Sequence, residues 1–303
     1  MTRKWLTVIA ISLLLSLGGA ASTLAASIAV RIPQQPANSL GHNSYILELL
    51  ELALEASKQE SEIIDIRQND HDLTQARQIA ELRRGEKLDL IWTMSSINRE
   101  AVIRPIRIPL LKGILGQRVF LVHEDRVAEF QSITHLQQLK DFTAGQGSHW
   151  PDTPILRHNG LSVITTTHYS LLFDMLAGGR FDYFPRGANE AWQEIDAHQK
   201  KPLVVEPTLM LSYIAPMYFF VSPDNESLAA RIETGLEKMY DDGSFDRHFF
   251  QHPSISTMLK NIHIDERHIF RLDNPLLPKK TPVDIERYWL PLHKNSLTMK
   301  REN

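Results

Sequence analysis

The sequence predicts an α/β protein of two lobes, each a sheet covered by helices. Three observations point there: strands and amphipathic helices alternate from Ser27 to Thr93, a second alternation restarts after Val122, and a composition with 43% hydrophobic and 23% charged residues is that of a chain able to bury cores. In order, residues 27–32 are β-rich and stopped by Pro33 and Pro36. Ile46, Leu49, Leu50, Ala53 and Leu54 then recur at helical spacing, with Glu48, Glu51 and Glu55 on the opposite face. Residues 63–66 form a short apolar run, Leu73, Ala76, Ile79, Ala80 and Leu82 mark a helix ending near Gly85, and residues 88–93 read as a strand. Strands joined by such helices are parallel neighbours, because a parallel pair needs a crossover connection.

The second alternation reads strand at 118–122, strand into a glycine turn at 142–145, strand at 162–166, and a helix through Tyr169, Leu172, Phe173 and Leu176 closed by Gly178-Gly179. A strand at 181–184 and a helix through Ala188, Ala191, Trp192 and Ile195 follow. Strands at 203–205 and 218–221 flank an irregular stretch, 207–216, before a long helix through Leu228, Ile232, Leu236 and Met239 that stops at Gly243. Beyond residue 254 the periodicity is weak, which predicts an extension packed on the first lobe or partly loose.

Arg3 and Lys4 precede an apolar run at 5–17 and a small-residue segment ending Thr23-Leu24-Ala25-Ala26. That order predicts a cleaved secretory signal peptide over residues 1–26, the alternative being an uncleaved anchor. With no cysteine, a disulfide framework, a thiolate metal site and a cysteine-linked lipid are all excluded. A net charge of -3 without a basic cluster argues against nucleic acid. Among the thirteen histidines, His263 and His268, and His149, His158 and His168, do not form a metal-ligand pattern, and there is no phosphate loop or nucleophile elbow. No metal, cofactor or catalytic residue is therefore expected.

The run from Asp89 through Trp92, Met94, Ser95, Ser96 and Arg99, continuing to Ile108-Pro109-Leu110-Leu111 and the strand at 118–122, resembles the core of the periplasmic solute-binding proteins of the amino-acid type, solute-binding protein family 3. Leu136-Gln-Gln-Leu139 before Gly145-Gln-Gly-Ser148, Leu176-Ala-Gly-Gly-Arg180-Phe-Asp182, and Leu236 through Gly243 are similar to later passages of that family, so the likeness spans residues 28–250. It implies the periplasmic binding protein type 2 fold, with mixed, mostly parallel sheets and a ligand cleft between the lobes. Lobe one would hold 27–122 and 212–253, lobe two 123–211, and 254–303 would be the extension, with hinges near 122–124 and 206–211.

The resemblance also places the site. Arg99 would grip a ligand carboxylate with its planar fork, unless it pairs with Glu100 at the surface. Ser96 stands three positions earlier, and Ser148 matches a threonine at a helix start where free N–H groups favour an anion; simple capping is the alternative for both. The family's amine-holding aspartate is replaced by Gly187. Glu190 is the available substitute, while Arg186 suits a second anionic group, or the two form a mutual surface pair. Trp92, Trp150 and Tyr45 are candidate apolar walls or core residues. The expected activity is capture of a small polar, carboxylate-bearing solute by a monomer in the periplasm, for an inner-membrane ABC permease or sensor. The alternatives are an enzyme like the cyclohexadienyl dehydratases, with Glu190 as acid, and an interaction module that has lost solute binding.

Overall fold

The computed structural model describes residues 27–34, 41–71 and 73–291, so the expected leader at 1–26 lies outside the described residues. In chain order the elements are β1 (Ser27–Ile32), α1 (Gly41–Ala56), β2 (Ile63–Gln68), α2 (Gln75–Arg84), β3 (Leu90–Met94), α3 (Ile97–Glu100) and β4 (Arg104–Ile106). Then come β5 (Gln117–His123), α4 (Val127–Gln131), α5 (Leu136–Leu139), β6 (Thr143–Gly147), α6 (Asp152–His158), β7 (Ser162–Thr166), α7 (Tyr169–Ala177), β8 (Tyr183–Gly187) and α8 (Ala188–Ala197). The chain closes with β9 (Leu203–Val205), β10 (Leu209–Ser212), β11 (Met217–Val221), α9 (Glu226–Asp241), α10 (Ser244–Gln251), α11 (Pro253–Asn261) and β12 (His268–Arg271).

In the first lobe β1 and β2 run parallel, from Ser27 opposite Ile63 to Ile32 opposite Gln68. Arg31 ties β1 to β3: its carbonyl accepts the Asp89 N–H at 2.9 Å, and its guanidinium grips the Asp89 carboxylate at 2.8 and 2.7 Å. Strand β11 returns from the second half of the chain and lies antiparallel between β3 and β4. Helix α9 settles on α1 at Gly235, where a Cβ would fall 1.8 Å from the Ala53 carbonyl oxygen, so hydrogen alone lets the helices meet.

The second lobe centres on a larger sheet, ordered β12-β10-β5-β8-β6-β7 with β9 also paired to β5. Strand β5 enters this lobe and β10 leaves it, and the two pair antiparallel through Leu211–Arg118 and Ser212–Gln117. Both crossings therefore sit side by side.

Four local readings of the sequence need correction. The glycine turn expected at 142–145 is strand to Gly147, because Gly145 lies under the Phe181 ring, 2.1 Å from where its Cβ would stand, and Gly147 lies under Trp150. Phe181 thus packs across β6, and β8 starts two residues later than expected. It runs through Pro185, whose carbonyl accepts a bond from the Gln146 side-chain amide at 3.1 Å. The irregular stretch 207–216 contains β10, whose four residues are all buried, so no alternation betrays it. The extension does more than rest on lobe one: α11 packs on α8 and α1, and β12 lengthens the larger sheet by pairing parallel with β10.

The Gly235 contact predicts a sign. Alanine gains up to about 1 kcal/mol of helix propensity over glycine, but a methyl group driven into a carbonyl must part α1 from α9, and overpacking of that kind costs about 1–3 kcal/mol. Gly235→Ala should unfold at lower denaturant concentration than the parent, and an unchanged or higher midpoint would refute the close approach.

Candidate functional site

A cleft of about 650 Å³ opens between the lobes. Trp92, Thr93, Met94 and Arg99 line it from the first lobe, and Ser148, His149, Trp150, Asp152, Arg186 and Glu190 from the second.

Strand β3 delivers Arg99. Its residues, apolar apart from Thr93, are largely buried up to Met94, the chain turns at Ser95-Ser96, and the Ser96 hydroxyl caps the short α3 by accepting the Arg99 N–H at 3.3 Å. The Arg99 side chain folds back under β3, only 6% exposed as a residue. Its Nη1 donates to Thr93 Oγ1 at 2.5 Å and to the Met94 carbonyl at 2.8 Å, and Nη2 to Gln75 Oε1 and, across the cleft, to the His149 carbonyl at 3.2 Å. All four partners are neutral oxygens. Burial pushes its pKa down to about 10 against the opposing pull of Asp152, which leaves it a cation at neutral pH. The alternative pairing with Glu100 does not form, because Glu100 accepts from Ser95 Oγ at 2.6 Å and from Arg107 at 2.6 Å.

The facing wall is a buried ion network. Arg118, at the start of β5, meets Asp152 at 2.6 Å and donates to the Tyr213 hydroxyl at 3.0 Å, while that hydroxyl donates to Asp152. Arg186, in β8, grips Glu194 through Nε at 2.7 and 3.0 Å and meets Glu190 at 2.9 Å. Tyr169 donates to Glu194 at 2.6 Å, and the guanidinium lies over the Trp150 and Phe184 rings at 5.0 and 4.9 Å. Glu190 joins the halves, standing 3.7 Å from Arg118 and accepting the Gly187 N–H at 3.1 Å. A Cβ on Gly187 would lie 3.0 Å from Glu190 Oε2, so this carboxylate reaches back into the space next to Gly187.

Several sequence-based expectations change here. Arg186 and Glu190 do pair, but in the interior, and Arg186 is already met by two carboxylates, so it is not an open cation for a second anionic group. Ser148 lines the cleft without heading a helix: its N–H goes to the Thr166 carbonyl at 3.0 Å, and α6 begins four residues later with an acid, Asp152, in its first turn. Ser96 is a buried cap and does not line the cleft. Tyr45 is core, fully buried, its hydroxyl donating to the Leu110 carbonyl at 2.8 Å and its ring stacked on His248 at 4.7 Å. Trp92 and Trp150 do line the cleft.

Sequence reasoning missed Arg118, Asp152, Glu194 and Tyr213. Glu194 had a signal, since Glu190 and Glu194 are one helical turn apart, as did Arg118, a charge opening an otherwise apolar strand. Asp152 and Tyr213 meet only through the fold. It also passed over His248 and His252, which stand four apart with Glu48 at 3.9 and 3.6 Å. Even so, no group of three such side chains among the described residues is placed to hold a metal ion.

Removing one partner from a buried ion pair strands the other, at a cost of about 3–5 kcal/mol. Arg186→Ala, which leaves Glu194 buried and unmatched, should therefore appear first as a large fall in thermal stability. Urea unfolding within 1 kcal/mol of the parent, an order-of-magnitude threshold about that of an exposed pair, would overturn the network's structural role.

The sequence matches no protein-family model and no curated protein. Solved structures do match its fold. An ancestral arginine-binding protein bound to glutamine is 16% identical over 75% of this chain and 98% of its own, with a TM-score of 0.57. The VFT2 domain of Bordetella pertussis BvgS is 18% identical over 75% and 93%, also at 0.57. An ancestral amino acid-binding protein, a precursor of cyclohexadienyl dehydratase, is 14% identical over 74% and 95%, at 0.55. At such identities the likeness speaks for architecture, and it does so plainly: the chain has the two-lobed α/β fold of the periplasmic amino-acid-binding proteins and of the sensor domains built like them.

Proposed function

We propose that the chain is a periplasmic solute-binding protein that closes its lobes over a zwitterionic, carboxylate-bearing solute, an amino acid or a close relative, and presents it to an inner-membrane transporter or sensor. The observation that carries this reading is the distribution of charge across the cleft. Arg99 is buried with only neutral oxygens around its guanidinium. Along and behind the opposite wall two guanidiniums, Arg118 and Arg186, meet three carboxylates, Asp152 and Glu190 at the cleft and Glu194 buried behind them. One wall is thus positive and the other carries one surplus negative charge. A solute with a carboxylate at one end and an ammonium nearby matches both.

In this reading the ligand carboxylate takes the place of Gln75 Oε1 and the His149 carbonyl on the Arg99 fork, exchanging neutral acceptors for a charged one. Glu190 replaces the aspartate absent at Gly187, and Trp92 and Trp150 form apolar walls. The solved structures of similar fold support the reading, since two of them are amino-acid binders by description. Among the described residues no helix is long and apolar enough to cross a membrane.

Thermal-shift screening of the protein lacking residues 1–25 should find its strongest stabilisers among amino acids and short peptides, ahead of dicarboxylates and sugar acids. With the best of them, calorimetry should show Arg99→Ala weakening binding by about 30-fold or more, the equivalent of about 2–5 kcal/mol for a desolvated charge contact. Glu190→Gln should weaken the amino acid but spare its deaminated analogue. Tightest binding by a dicarboxylate, or Arg99→Ala within twofold of the parent, would refute the zwitterion reading.

A further inference from the structure

After β12 the chain does not end on the second lobe but crosses to the first, and its attachments on the two sides are of different strength. On the far side it is pinned firmly. Trp289 lies over Gly113, 2.5 Å from where a Cβ would stand, the Leu290 N–H donates to the Lys112 carbonyl at 2.9 Å, and Lys112 Nζ donates back to the Arg287 carbonyl at 2.6 Å. Tyr288 and Trp289 are buried there, and Arg287 and the Tyr288 hydroxyl both reach Glu237 on α9.

On the near side Asp273 makes a reciprocal pair with Asn159, the residue that ends α6: the Asp273 N–H donates to Asn159 Oδ1 at 3.1 Å, and Asn159 Nδ2 donates to the Asp273 carbonyl at 2.9 Å. Three residues later the Leu276 carbonyl accepts the Ile97 N–H at 2.9 Å, at the first residue of the helix that carries Arg99. Between them Asn274 donates to the Ile214 carbonyl at 2.8 Å, beside the returning crossing. The segment Asp273-Asn274-Pro275-Leu276 therefore joins α6 of one lobe to α3 of the other. These are the elements that bracket the cleft, with Asp152 and His149 at the opposite end of α6 and Arg99 on α3.

Three peptide steps span at most about 10–11 Å, and Pro275 removes part of what freedom remains. A lobe opening that moved α6 away from α3 would draw the segment taut and release one of its attachments. The exposed Asn159–Asp273 pair is the weaker side, because its bonds compete with water, whereas the Ile97–Leu276 bond is backed further along by the buried Tyr288 and Trp289.

We propose that residues 273–276 are a latch that limits cleft opening, released by separation of Asn159 from Asp273. It restrains the open state whatever solute the cleft takes. The chain has no cysteine, so spin labels can be placed cleanly at Leu171→Cys and Glu233→Cys, exposed positions on α7 and α9. In the ligand-free protein lacking residues 1–25, Asn159→Ala should shift the inter-label distance to longer, broader values than the parent. Asp273→Pro, which removes the N–H that Asn159 accepts, should do the same. Asp273→Ala keeps both backbone bonds and should leave the distribution unchanged. Parent-like distances in both Asn159→Ala and Asp273→Pro, or an equal shift in Asp273→Ala, would overturn the latch.

Discussion

The second lobe and the floor of the cleft depend on one constraint: ions taken out of water must be matched where they lie. Arg118, Arg186, Asp152, Glu190 and Glu194 are all buried, and desolvating any one of them alone costs several kcal/mol, on the order of the stability of a whole domain. They come from β5, β8, α6 and α8, and Tyr213 adds the segment after β10. Satisfying all of them at once fixes the register in which Arg118 faces Gly187 across β5 and β8, and the direction in which α8 leaves the sheet. The aromatic faces of Trp150 and Phe184 complete the shell around Arg186 and keep water from competing. The network is therefore both scaffold and cleft wall.

Arg99 obeys the opposite rule. It too is buried, but it is hydrogen-bonded to carbonyl, amide and hydroxyl oxygens, which solvate a cation without neutralising it. Arg99 is thus solvated but not neutralised, whereas Arg118 and Arg186 are each met by carboxylates. Space is tight at Gly187, where a side chain would begin 3.0 Å from the Glu190 carboxylate.

Much of this was legible in the sequence because periodicity reports burial. The amphipathic helices α1, α2, α7, α8 and α9 and the strands β1, β2, β5 and β7 follow from spacing of apolar residues, and Arg99 was marked by its motif. What escaped notice shares a cause. Strand β10 is buried on every residue and so shows no alternation, the far half of β8 hides behind Pro185, and the Gly145 and Gly147 signals belong to ring packing rather than to a turn. Asp152 and Tyr213 are sixty-one positions apart and acquire meaning only when the two crossings bring them together. Tyr45, read as either wall or core, proves to be core, since an aromatic in the second turn of a helix has the same spacing whether it faces core or ligand.

The seating of α9 on α1 has a consequence for how the molecule comes into being. Ala53 and Gly235 meet backbone to backbone, and β11 must insert between β3 and β4, so neither the first sheet nor its helical cover can close until the distant half of the chain is present. Contacts of such long range make for slow folding, because the loop must be closed before any contact rewards it. During synthesis the first lobe is therefore an unfinished sheet with an unfilled central slot, which the returning β11 fills only after the whole second lobe has been made.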